Sequence, residues 1–265
     1  MTISPQLRTT ITYVVISAIW IWLSDLVLDA LVHNPRHLTS LQSAKGWLFV
    51  LATGVMLYGM IGHTVHRMSA VNRKLLEGNE QSLRVLVSAM DARHKETGDH
   101  SSRVMRVTEG MARLVGLEGK ALRDLRFGAL LHDIGKLALP DAILIKPGKL
   151  DADEIAVMRT HPRIGRDMLL QVDFLRDAVD IPYCHHERWD GEGYPQGLRG
   201  EAIPLAARIF SVVDVWDALS SARVYKPAWP EDEVLDHLRS VAGQQLDPQL
   251  VELFLGHYDE LKALA

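Results

Sequence analysis

Two apolar runs open the chain. Thr9–Val32 (TTITYVVISAIWIWLSDLVLDALV) is interrupted by charge only at Asp25 and Asp29, and Lys45–His63 (KGWLFVLATGVMLYGMIGH) is a second stretch of the same kind. About 20 apolar residues, rising about 1.5 Å each, span a hydrocarbon core of about 30 Å. Neither run carries the polar stripe at helical period that a half-buried helix of a soluble domain would show. The first run is too long for a signal peptide and lacks a small-residue cleavage site. The pattern predicts a transmembrane hairpin over residues 1–64, with Trp20, Trp22, Trp47 and Tyr58 near interface depth. Arg8, Arg67, Arg73 and Lys74 on the outer flanks, against Arg36 and Lys45 in the link, predict both termini on the cytoplasmic side.

The pattern then changes. Met68, Val71, Leu75, Leu83, Leu86 and Met90 recur at intervals of 3, 4, 8, 3 and 4 with charged residues between them, which predicts a linker helix over 65–90. The spacing approximates a heptad and suits a homodimer stalk. Beyond it no alternation of strand type persists. Helical stretches are punctuated by LEGK, LPDAILIKPGKL, HPRIG, DGEGYPQGLRGEAIPLA and LDPQ, so residues 91–265 read as one all-α catalytic domain. A net charge of −4 leaves no basic footprint for a nucleic-acid polymer. The single Cys184 excludes an internal disulfide framework and reads as buried packing.

Polar residues inside that apolar domain narrow the chemistry. RFGALLHDIGK ends an apolar helix with adjacent His132 and Asp133, followed by Lys136. A buried carboxylate is costly without a partner, and a divalent cation would compensate both His132 and Asp133. Glu96 and His100 are four apart, a spacing that shares one helix face. His161 lies in MRTHPRIG, the pair His185 and His186 in HHERWDGEGYP, and Asp214 in the apolar run ARIFSVVDVWDAL. On a helix, neighbouring side chains diverge by roughly 100°, so the histidine pair suits two ions, or two sides of one cluster. These five histidines and three carboxylates exceed what one cation takes. Two or three divalent cations follow, and mixed imidazole and carboxylate donors favour Fe, Mn, Zn or Ni over Mg or Ca. Such cations suit attack on a phosphodiester, with Lys136 placed to support phosphate charge and no Ser-His-Asp or cysteine nucleophile required.

LHDIGK, HHERWDGEGYP and DALSSARVYK, in this order and spacing, closely resemble the HD-GYP family of cyclic-di-GMP phosphodiesterases across residues 88–256. The resemblance implies an HD-domain helical bundle in which His100, His132, Asp133, His161, His185, His186 and Asp214 bind metal, Fe or Mn foremost. Glu96 matches the extra acid of three-metal members, which implies hydrolysis through pGpG on to GMP. His132, Asp133 and Lys136 would then be catalytic, Arg223 and Lys226 would clasp the second phosphate, and Tyr194 would line the substrate wall by stacking on a guanine or by ordering its loop. Val224 stands where the family usually has proline. A bacterial inner-membrane, multi-pass enzyme with its catalytic domain in the cytoplasm is the resulting expectation. The alternatives are an HD-type phosphohydrolase for another nucleotide, such as a hybrid cyclic dinucleotide, and a non-catalytic cyclic-di-GMP-binding regulator.

Overall fold

The structure, a computed structural model, describes residues 4–31, 35–94, 100–222 and 227–265. It divides into two compact units, Met1–Glu77 and Gly78–Ala265. Among the described residues every named element is helical and no strand is present.

In the first unit, α1 (Pro5–Leu31) and the first part of α2 (Pro35–His94) carry the two apolar runs. Leu7–Leu31 and Thr39–Arg93 are long and apolar enough to cross a membrane, by length and composition. Their large apolar side chains face outward, among them Trp22, Trp47 and Tyr58. Between the two helices, Trp20 lies against Phe49 with ring centroids 6.4 Å apart, and Lys45 is ion-paired to Asp25. The second apolar run and the linker stretch belong to one helix.

In the second unit, the end of α2 contributes Val87 and Met90 to the core. It packs with α3 (His100–Leu114) and α4 (Gly119–Leu130), whose buried residues Val104, Val107, Met111, Leu122, Leu125 and Leu130 repeat at helical spacing. A 3-10 turn (Ile134–Ala138) and α5 (Asp141–Leu144) follow, then α6 (Ala152–Met158) and α7 (His161–Leu169). A second 3-10 turn (Asp173–Ala178) leads into α8 (Asp180–Cys184), and a third (Gly200–Ala202) precedes α9 (Leu205–Ser220). The chain closes with α10 (Glu231–Val241), α11 (Pro248–Gly256) and α12 (Tyr258–Lys262).

Helix α9 is the axis of the bundle. Ala207, Ile209, Phe210, Val212, Val213 and Trp216 are buried on nearly every side of it, as expected for a helix surrounded by others. Each such large apolar side chain contributes roughly 1.5–3 kcal/mol by leaving water. An acid on this helix, Asp214, therefore stands out.

Local rules set the boundaries. Asp151 caps α6 in a reciprocal box with Glu154, and Asp247 caps α11 ahead of Pro248 while accepting from Arg208 Nη1 at 2.7 Å. HPRIG, which the punctuation pattern reads as a break, is the first turn of α7. Proline lacks only an N–H that a first turn leaves unpaired anyway.

Candidate metal centre

Close backbone approach assembles the centre. A methyl group added to Gly135 would lie 2.0 Å from the His161 carbonyl oxygen and 2.6 Å from the Gly165 nitrogen. Only a glycine lets the turn after His132–Asp133 lie directly on the start of α7, which brings His161 to Asp133. Gly193 plays the same part in the GYP turn, since a methyl there would sit 2.5 Å from the Glu187 Cα. The turn folds back on the chain just after the histidine pair, with Tyr194 N–H donating to the His186 carbonyl at 3.1 Å. The Tyr194–Pro195 peptide is cis. Buried Glu187 accepts the Gln196 and Leu198 amides at 2.7 and 2.9 Å and so holds the loop.

Seven of the sequence candidates converge here in two groups joined by one carboxylate. His161, His185 and His186 form the first group and His100, His132 and Asp214 the second, each with donor atoms within 4.8 Å of one another. Asp133 lies between them. Its Oδ2 is 3.2 Å from His132 Nε2, and its Oδ1 is 3.3 Å from His161 Nε2 and 3.8 Å from His185 Nε2. His185 and His186 join the same group, with ring centroids 4.0 Å apart. Helix α8 stops at Cys184, with His185 as its C-cap.

The protonation pattern is that of a ligand set. Carbonyls can only accept, so the Nδ1 atoms facing them carry hydrogen: His132 toward Ala129 at 3.0 Å, His161 toward Met158 at 2.8 Å, His185 toward Ile181 at 3.1 Å. His100 Nδ1 donates to Asp217 Oδ2 at 2.7 Å. In their neutral forms these imidazoles therefore turn Nε2 lone pairs inward, the arrangement that partners of a metal-binding histidine enforce. Lone pairs cannot satisfy one another, and His161 Nε2 approaches His185 Nε2 to 3.4 Å. Asp133 Oδ1 is buried without a hydrogen-bond partner. A divalent cation fits this donor chemistry in both groups.

Electrostatics agree. Burial opposes the His132 imidazolium, but the Asp133 carboxylate outweighs it and lifts the pKa to about 9. Burial likewise opposes ionised Asp133, and Lys136 and His132 override it, holding that carboxyl well below its usual range. His186 is pushed down to about 3, by burial first and then His161, while His185 falls well below its ordinary value through burial and His186. The region attracts positive charge at Asp133 and keeps the pair at 185 and 186 neutral.

Lys136 is ion-paired to Asp133 Oδ2. The Tyr194 ring stacks on His186 at 4.7 Å between centroids. Cys184 is buried, and burial pushes its thiol up to about 12. Glu96, Arg223 and Lys226 lie outside the described residues.

The sequence reading did not single out Asp217. Its buried carboxylate orients His100, and Arg103 binds it in turn through Nη2 at 3.0 Å and through Nε. Burial raises the Asp217 pKa, but His100 and Arg103 more than reverse this and bring it to about 2. Its position three residues after Asp214, on the same face of α9, was the available signal.

With this geometry the class is defined: the chain belongs to the HD domain family of metal-dependent phosphohydrolases, which matches residues 84–250. Its relatives place it in the HD-GYP branch. The cyclic di-GMP phosphodiesterase response regulator RpfG of Xanthomonas campestris pv. campestris is 44% identical over 191 residues, covering 71% of this chain and 50% of that protein. The 3'3'-cGAMP-specific phosphodiesterase 2 of Vibrio cholerae is 41% identical over 192 residues, covering 72% of this chain and 37% of that protein. The chain spans half or less of the length of these relatives. The crystal structure of a cyclic GMP-AMP-specific phosphodiesterase of Vibrio cholerae, V-cGAP3, shares the fold, with a TM-score of 0.54, 20% identity, and 69% of this chain and 50% of that chain covered.

Proposed function

We propose that the protein is a membrane-anchored, metal-dependent phosphodiesterase that hydrolyses cyclic-di-GMP, with His100, His132, Asp133 and Asp214 holding one cation and Asp133, His161, His185 and His186 another. The observation that carries this reading is the buried Asp133 carboxylate shared between two groups of imidazoles with inward-facing Nε2 atoms. Bound cations supply neutralisation of the phosphate and activation of water near neutral pH. The chain's own residues do the rest. Lys136 keeps its ammonium on Asp133, beside the position a phosphate oxygen must approach. Tyr194, fixed against His186, forms one wall. Arg223 and Lys226 grip the second phosphate, and Glu96 adds the carboxylate for a third cation, which carries hydrolysis past pGpG to GMP.

The domain organisation proposed is a hairpin over 1–64, a linker helix over 65–90 and a catalytic domain over 91–265, with both termini in the cytoplasm of a bacterium and the linker helices of two copies side by side. Exposed Met68, Val71, Leu75 and Leu86 on α2 support the pairing, while Leu83 and Met90 of the same stripe pack into the core of the second unit instead. A hybrid cyclic dinucleotide is the second reading, because a 41% identical relative is specific for 3'3'-cGAMP.

The test is hydrolysis of both cyclic dinucleotides by the purified full chain loaded with Mn or ferrous iron. Cyclic-di-GMP is expected to show the higher kcat/KM, and Asp133→Ala to lose both metal and turnover. A metal-loaded wild type that cleaves neither compound overturns the proposal, and preference for the hybrid substitutes the second reading.

A further inference from the structure

Arg159 is absent from every role assigned above, yet it stands at the mouth of the centre. It ends α6, and the carbonyl of the residue before it, Met158, accepts from His161. Its guanidinium carbon lies 4.9 Å from the centroid of the Tyr194 ring, the same ring that stacks on His186. Arg159 also lines a cavity of about 220 Å³ with His185, His186, Tyr194 and Asp214. That volume is below the roughly 300–1,000 Å³ of a pocket that engulfs a whole drug-sized ligand. A large anion would therefore enter this cavity only in part.

Of the charged side chains lining the cavity, Glu192 is exposed at the rim, and the others apart from Arg159 are already engaged. The other arginine, Arg188, is already spent on Asp190, with Nε–Oδ1 at 3.1 Å and Nη2–Oδ2 at 2.6 Å. Glu187 is held by two backbone amides and Asp214 belongs to the donor set. Arg159 is exposed and forms no ion pair among the described residues. A guanidinium lying over an aromatic ring keeps its N–H donors in its own plane, directed outward, and loses less freedom on forming a two-pronged contact. Two outward N–H groups match the two free oxygens of a phosphodiester.

Resting on the reading of the centre as a phosphodiesterase, we propose that Arg159, braced by Tyr194, is a substrate-binding residue that grips the phosphate of the dinucleotide that is not being cleaved, at the cavity mouth. The contact is to phosphate oxygens and not to a base edge. It supplies an anchor within the described domain, independent of Arg223 and Lys226, and it explains why the aromatic residue of the GYP turn is held between an imidazole and a cation.

The experiment compares wild type, Arg159→Ala and Arg159→Lys, each as full chain loaded with Mn. Arg159→Ala should raise KM for cyclic-di-GMP about 10- to 100-fold, the range for loss of a charge-assisted hydrogen bond, with metal content unchanged. Arg159→Lys should recover part of the loss, as a point charge without the fork. Turnover of bis(p-nitrophenyl) phosphate, too small to reach beyond the cations, should stay at the wild-type value. The KM shift should be the same for 3'3'-cGAMP. Isothermal titration with a hydrolysis-resistant phosphorothioate analogue of pGpG measures the same grip without turnover, so a wild type inactive on cyclic dinucleotides would sink the functional reading while the Kd still judges Arg159. Unchanged KM and Kd would make Arg159 a solvated neighbour of the ring. An equal loss on the small diester, or lost metal, would make it a support for the turn that orients His161. A loss confined to one cyclic dinucleotide would assign it to a base edge. Each of these overturns the phosphate contact.

Discussion

At the scale of single residues, the centre is governed by what stands behind each ligand. Asp217 fixes the His100 tautomer from a buried position, and removing such a partner typically costs ten- to a hundred-fold in metal affinity. Asp217→Asn should lower Mn affinity by about that factor while far-UV circular dichroism stays unchanged; unaltered affinity would show that His100 needs no orienting acid. Proton linkage gives a second test. The His132 pKa is raised to about 9, so at pH 7.5 the imidazole holds a proton that a cation must displace. Affinity should therefore rise with pH and level off above about 9, with about one proton released per centre at pH 7.5. Calorimetry in buffers of different ionisation enthalpy counts that proton, and zero release would contradict the shared charge at Asp133. These features also mark how far the sequence could be read. Residue types and spacing exposed the seven candidate donors that converge, because acids and imidazoles in apolar runs are costly unless paired. The carbonyls of Ala129, Met158 and Ile181 that set the tautomers could not be read, since every residue has a carbonyl and only the fold selects which one faces a ring.

At the scale of elements, the docking of α7 on the turn that follows Asp133 decides whether the two groups can share a carboxylate. Gly135→Ala sets a methyl group against backbone atoms of His161 and Gly165 that cannot rotate away. The expected result is an overpacking loss of about 1–3 kcal/mol, together with a fall in metal content that exceeds the fall in helicity. Gly256→Ala, where an added methyl meets nothing within 4 Å, is the matched control and should stay within about 1 kcal/mol of wild type. If Gly135→Ala melts and binds metal like that control, the close approach is not what assembles the centre. Helix existence followed from periodicity and punctuation, as on α3 and α4. The start of α7 did not, because a proline in HPRIG reads as a stop when its position in the first turn is unknown.

At the scale of the whole molecule, the balance of basic residues around the two apolar runs fixes an expected topology. A reporter fused after Ala265 should be active in the cytoplasm and one inserted at Arg36 active outside. The opposite pattern would separate the catalytic domain from any cytoplasmic nucleotide and exclude the proposed substrate. A further whole-molecule property comes from Asp133, whose two oxygens face different halves of the centre. An ion in one half would pin the carboxylate at the angle the other half requires, so the second ion enters a site already built and coupling between the two is favourable. Mn bound per chain, measured by equilibrium dialysis against free Mn, should then climb more steeply than a hyperbola, and a plain hyperbola would mean the halves fill independently. Under favourable coupling turnover would follow a cell's metal supply more sharply than a single site allows, up to the steepness that two linked sites permit.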